Sequence, residues 1–133
     1  MRTIYLVRHG QTLFNVHHKI QGTCDSPLTE LGKAQATAVR KYFLQKEISF
    51  DAAFCSKQER ASDTLEIITD NQLSYTRLRD LHEKSHGEYE GQDEFMLPWR
   101  RGFINNRHHV VICEACDNST TSPVLDKLKP NYF

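Results

Sequence analysis

Thr3-Ile4-Tyr5-Leu6-Val7-Arg8-His9-Gly10 is the stretch on which the fold turns. Its first five residues are β-branched, aromatic or aliphatic, which is the composition of a buried strand. The next three bear chemistry. Arginine presents a planar fork that matches phosphate oxygens. A neutral imidazole can attack phosphorus, and a glycine lets the backbone turn sharply or approach another chain segment. In parallel α/β sheets ligands gather beyond the carboxyl ends of the strands. Arg8-His9-Gly10 stands at such an end.

The same arrangement recurs twice further on. Phe50 to Cys55 reads as a second short strand, followed by Ser56, Arg60, Ala61 and Thr64. Ser56 and Glu59 have the spacing of a capping box, so a helix is expected to start at Ser56, with Ala61, Leu65 and Ile68 inward. Helix N-termini favour anions, and Arg60 lies one turn in. Ser74 to Leu78 reads as a third strand, followed by Leu81-His82-Glu83, Gly87 and Glu90-Gly91. A carboxyl group at that end is a candidate proton donor.

Between the first two strands, Arg8 to Leu28 reads as a long loop, a length usually tied to function. Thr29 is a plausible N-cap with Glu30 in the first turn, opening a helix to about Gln45. Its apolar positions are Leu31, Ala34, Ala38, Val39, Tyr42 and Phe43. Strand, helix, strand, helix, strand predicts right-handed crossovers and a mainly parallel sheet with helices on both faces. The expected fold is therefore an α/β three-layer sandwich, one domain over residues 1–133. Arg8, His9, Arg60 and Glu83 should meet at its carboxyl edge. Asp80 to Asp93 reads as loop, Glu94 to Phe103 as a helix broken by Pro98, and His109 to Cys113 as a fourth strand. Residues 117–133 read as an irregular tail.

Composition excludes several classes. Seventeen basic residues balance 17 acidic ones in 133, so no net field draws the chain to nucleic acid or to a membrane. Apolar runs such as Ile4 to Val7 are far short of the roughly 20 residues of a membrane span and the roughly 7–15 of a signal core. A cytoplasmic location is expected. Cys24, Cys55, Cys113 and Cys116 are too scattered for a disulfide framework and read as free thiols. His109, Cys113 and Cys116, with His108 adjacent, have metal-like spacing, but a zinc site needs about four ligands in closed geometry. Neither metal nor cofactor is expected.

Taken together, these segments resemble the histidine phosphatase superfamily, also called phosphoglycerate mutase-like. The resemblance is carried by Arg8-His9-Gly10-Gln11-Thr12 with Asn15, Gln21-Gly22, Asp25-Ser26-Pro27-Leu28-Thr29, Leu31-Gly32 and Gln35-Ala36. It continues through Ser56, Arg60-Ala61, Thr64, Leu81, Glu83, Gly87 and Glu90-Gly91, and covers residues 1 to about 92. It implies that His9 is the nucleophile and carries a transient phosphoryl group. Arg8 and Arg60 would clamp the phosphoryl oxygens, Asn15 would add a hydrogen bond, and Gln21, Gly22 and Thr23 would line the pocket mouth. Glu83 would protonate the leaving oxygen and then activate water. Glu83-Lys84-Ser85-His86-Gly87 keeps the spacing of the mutases' Glu-Arg-His-Tyr-Gly but differs at three positions, which points to a phosphatase acting on a small phosphorylated metabolite.

The resemblance also implies a second pocket histidine, in a His-Gly pair after a later apolar strand. Here His108 and His109 precede the run Val110-Val111-Ile112, and neither is followed by glycine. In a parallel strand a residue before the run lies at the opposite edge, so neither histidine is expected at the site. The expectation is a family domain truncated at its C-terminus, with impaired activity and a core that self-association would cover. The alternative readings are a weak or inactive member that binds phosphorylated ligands, or a truncated gene product.

Overall fold

The computed structural model describes residues 3–96 and the strand at 109–114. Strand β1 (Thr3–Arg8) leads through a one-turn helix, α1 (Leu13–Val16), into α2 (Glu30–Gln45). Strand β2 (Ala52–Cys55), helix α3 (Glu59–Thr69) and strand β3 (Tyr75–Arg77) follow. Short 3₁₀ turns at Arg79–Leu81, Gly87–Tyr89 and Glu94–Met96 precede β4 (His109–Glu114). The strand order across the sheet is β1-β4-β2-β3.

Strands β2 and β3 pair in parallel, and β4 runs antiparallel to both β1 and β2. Strands β1, β2 and β3 therefore all point one way, and their carboxyl ends share one edge. That is the expected α/β arrangement, with one reversed strand inside it. The reversal corrects the reasoning about the late histidines. His109, the first residue of β4, pairs with Arg8, so it stands at the carboxyl edge of β1. His109 and Cys113 lie four residues apart on one extended strand, about 13 Å between Cα atoms, too far to share a metal. His108, Cys116, the tail at 117–133 and most of the expected Pro98-interrupted helix lie outside the described residues.

The pleat gives the sheet two unlike faces. Tyr5, Val7, Ala53, Cys55 and Tyr75 pack against the inward residues of α2 and α3. There Tyr5, Phe43 and Phe50 make edge-on ring contacts at 4.9–5.9 Å. The other face carries Phe54, with Ile4, Ala52, Leu78 and Leu81 around it, and Leu6 is left 44% exposed. Among the described residues, one helical layer and the sheet are present, and no long helix covers this second face.

Helix α2 starts where expected, because the Thr29 hydroxyl accepts from the Gly32 amide. Its inward face overlaps the expected stripe only at Val39 and Phe43. Gly32, Ala36 and Phe43 are buried, whereas Leu31 and Tyr42 are 55% and 52% exposed. The helix is rotated so that Gly32 meets the loop after β1, a contact that no bulkier residue would permit. Helix α3 buries Ala61, Leu65 and Ile68 as expected, but it begins at Glu59, with Gln58 as its uncapped N-cap residue. Ser56 is buried instead of capping.

Candidate active site

The loop after β1 is shaped by two glycines. A Cβ on Gly10 would lie 2.2 Å from the Gly32 carbonyl oxygen, and one on Gly32 would lie 2.1 Å from the Gln11 oxygen. Neither could be accommodated without moving backbone. Thr29 fastens the same junction, its amide and hydroxyl both donating to the Gln11 carbonyl. The His9–Gly10 turn is thus seated on the first turn of α2. His9 is buried, and its Nδ1 lies 2.7 Å from the Gly10 carbonyl oxygen. A carbonyl only accepts, so Nδ1 carries a proton, and a neutral ring then has its lone pair on Nε2.

The long loop is more ordered than its composition suggests. Thr12 and Asn15 form a reciprocal capping box that nucleates α1. The Asn15 carboxamide oxygen accepts from both the amide and the hydroxyl of Thr12 at 3.0 Å. Gln21 Nε2 donates to the Thr12 hydroxyl, and the Phe14 amide donates to Ser26 Oγ. Asn15 and Gln21 therefore meet through the fully buried Thr12.

Arg60 is 1% exposed and forms the centre of the site. One terminal nitrogen, Nη1, donates to the Cys24 carbonyl at 2.9 Å and to Asp25 Oδ1 at 3.0 Å. The other, Nη2, donates to the Gly22 carbonyl at 2.9 Å and to Glu83 Oε2 at 3.1 Å. A buried guanidinium needs such partners, because an unpaired interior charge costs several kcal/mol. Asp25 does a second job: its Oδ2 accepts from the Glu59 amide at the first turn of α3. It caps that helix from a distant part of the chain, which is why Ser56 does not.

Glu90 ties two loops together. Its carboxylate accepts from the Thr23 amide and hydroxyl, the Cys24 amide, the His86 amide and Ser85 Oγ, at 2.7–3.2 Å. Burial pushes its pKa up, but the hydrogen bonds from Thr23, His86 and Ser85 outweigh this and hold it down at about 2. Cys55, at the end of β2, is pushed up to about 11 by burial and remains a thiol.

The residues expected at the site are distributed as follows. Arg60, Glu83 and Gly22 are in direct contact. Gln21 and Gly22 are buried, and of the three expected mouth residues only Thr23 is exposed. Arg8 and His9 reach the same edge through the direction of β1, with Arg8 exposed at the strand end. Asn15 is committed through its oxygen, leaving its amide nitrogen as a donor. Asp25 and Glu90 had no role assigned from the sequence. Both stand in stretches that carry the resemblance, Asp25 in Asp25-Ser26-Pro27-Leu28-Thr29 and Glu90 in Glu90-Gly91. Among the described residues no group of three or more His, Cys, Asp or Glu side chains could hold a metal. No helix among them is long and apolar enough to cross a membrane.

The chain is similar to known proteins in both sequence and fold. The sequence model of the histidine phosphatase superfamily (branch 1) matches residues 4–110. A 2,3-bisphosphoglycerate-dependent phosphoglycerate mutase of Nitrosomonas europaea is 37% identical over 100 residues, which are 72% of this chain and 41% of that protein. The α-ribazole phosphatase of Shigella flexneri superposes with a TM-score of 0.64 at 34% identity, over 71% of this chain and 46% of that one. A mycobacterial glucosyl-3-phosphoglycerate phosphatase solved with VO3 gives 0.62 at 30% identity, again over 71% and 46%. The chain spans about half the length of the curated relatives it matches.

Proposed function

Because the chain belongs to the histidine phosphatase superfamily, we propose that it hydrolyses a phosphomonoester of a small metabolite through a phosphohistidine at His9. His9 Nε2 attacks phosphorus, and the bond from phosphorus to the ester oxygen breaks. Glu83 gives its proton to that oxygen. Water then attacks the phosphohistidine, Glu83 takes the proton back, and inorganic phosphate leaves with His9 restored. Arg8, Arg60 and the Asn15 amide hold the phosphoryl oxygens. Such transfer depends on positioning and charge stabilisation, which the arginines provide. The enzyme is read as cytoplasmic, working without metal or cofactor, and self-associating over the sheet face that carries Phe54.

The observation that carries this reading is the contact between Arg60 and Glu83 at the edge to which β1 delivers His9. A cation for the phosphoryl group and an acid for the leaving oxygen are there side by side. Their partners, Gly22, Cys24 and Asp25, belong to the segment between β1 and α2. The test is turnover of an aryl phosphate between about pH 5 and 8, with acid-labile phosphate trapped on His9. Stabilisation by phosphate without turnover would replace the enzyme by a phospho-ligand-binding protein.

A further inference from the structure

We infer that Glu90 is a positioning residue for this phosphoryl site: it sets the mouth loop Gly22–Cys24 and, through it, the aim of the Arg60 guanidinium. The inference rests on the reading given under Proposed function. Its physical basis is a single peptide group. The Gly22 carbonyl and the Thr23 amide belong to one planar trans unit, in which they point in opposite directions. The carbonyl accepts from Arg60 Nη2, and the amide donates to Glu90 Oε1. Glu90 and Arg60 thus grip the same rigid plate from its two sides. Rotating the plate away from Glu90 rotates the carbonyl away from Arg60.

Independent features point the same way. Gly22 has φ +57°, and a Cβ there would lie 2.4 Å from Glu90 Oε1, so the loop is bare where the carboxylate sits. Thr23 Oγ1 and the Cys24 amide donate to the same carboxylate, which leaves the loop little freedom. On its other side Glu90 holds Ser85 and His86, in the loop that carries Glu83. The clasp therefore fixes the mouth loop relative to the loop of the acid. Its own base is firm: Ile20 pairs with Gly91 and Gln92 through two backbone hydrogen bonds, and the Glu94 amide donates to the His18 carbonyl. A phosphoryl group meeting Arg60 needs the guanidinium in one orientation, and a displacement of about 1 Å can cost roughly 10²-fold in rate.

The test compares wild type with Glu90→Gln, which keeps the shape but offers donors where donors already point. Hydrogen exchange is measured at the Thr23, Cys24 and His86 amides, together with orthovanadate inhibition and steady-state kinetics on an aryl phosphate. Glu90→Gln should lose protection at those three amides, weaken orthovanadate by at least roughly tenfold and lower kcat by roughly 10–10²-fold. Asp93→Asn, which removes the Lys19 ion pair on the same segment, should leave all three readouts unchanged. Should Glu90→Gln fold poorly, Thr23→Val removes one donor and should give a smaller loss in the same direction. Wild-type exchange at Thr23, or wild-type kcat/KM and orthovanadate affinity in folded Glu90→Gln, would overturn the inference. A wild-type protein inert to both aryl phosphate and orthovanadate would instead overturn the function, while the exchange data would still decide whether Glu90 holds the loop.

Discussion

His9 is oriented by the carbonyl of its own neighbour, and Arg60 by partners mostly earlier in the chain. These two residues set the first expectations. His9→Ala should abolish turnover of an aryl phosphate, because in the proposed mechanism it is His9 that carries the lone pair to phosphorus. Glu83→Gln should slow turnover by roughly 10²–10⁴, the usual worth of a general acid. The same variant should bind inorganic phosphate more tightly. All four terminal N–H groups of Arg60 are committed to protein acceptors, so an incoming phosphate has to displace one, and of the two carboxyl groups among them Glu83 is the one that this variant replaces by a neutral amide. Titration calorimetry would show the gain, and weaker binding would mean that Glu83 helps to hold phosphate. The placement of Arg8, His9, Arg60 and Glu83 after three strands was legible in the sequence, and the contact of Arg60 with Glu83 follows from it. Asp25 and Glu90 were not, because what they do depends on amides far away in sequence.

At the scale of elements, local rules worked where the partner was local. Thr29 caps α2 as its sequence says. Ser56 does not cap α3, because Asp25 reaches the Glu59 amide from another loop and no short-range pattern records that. The loop from Arg8 to Leu28 hid a helical turn, since the Thr12–Asn15 box is too short to leave a periodic stripe. The apolar residues of α2 gave its length correctly and its orientation only in part, with Val39 and Phe43 inward but Leu31 and Tyr42 exposed, because the Gly10–Gly32 approach decides which side faces in. Gly10→Ala or Gly32→Ala should therefore lower stability by about 1–3 kcal/mol, the usual cost of overpacking, and remove activity as well. Urea unfolding would check this, and a normal midpoint would show that the junction is loose. The Glu90 clasp has its own signature. Its folded pKa, about 2, lies below the ordinary 4.5, so its contribution is complete above about pH 4.5 and is lost as pH falls through about 2. Wild type should lose Tm over that window, and Glu90→Gln should lose less. Parallel Tm curves for the two proteins would show that the carboxylate contributes nothing.

For the whole molecule the direction of β4 matters most. An apolar run such as Val110-Val111-Ile112 reads the same whichever way the strand points, so the sequence could not show that β4 runs against β1 and β2. The pairing does: Arg8 lies opposite His109 and Thr3 opposite Glu114. By register alone, a histidine therefore begins its strand beside the arginine that ends β1. The site is otherwise assembled from three strand ends within a chain about half as long as the relatives it matches. A donor that meets the equatorial oxygens of the pentacoordinate state would complete it, and removing one such preorganised donor typically costs about 2.7–4 kcal/mol, roughly 10²–10³ in rate. If His109 supplies that donor, His109→Ala lowers kcat/KM on an aryl phosphate by up to roughly that factor, mostly through kcat, since the arginines still bind the ground state. Val111→Ala, on the same strand but inside the sheet, should cost stability without that selective loss of kcat. Equal kcat in His109→Ala and wild type would show that β4 serves the sheet alone, and that His9, Glu83 and the two arginines do the chemistry unaided.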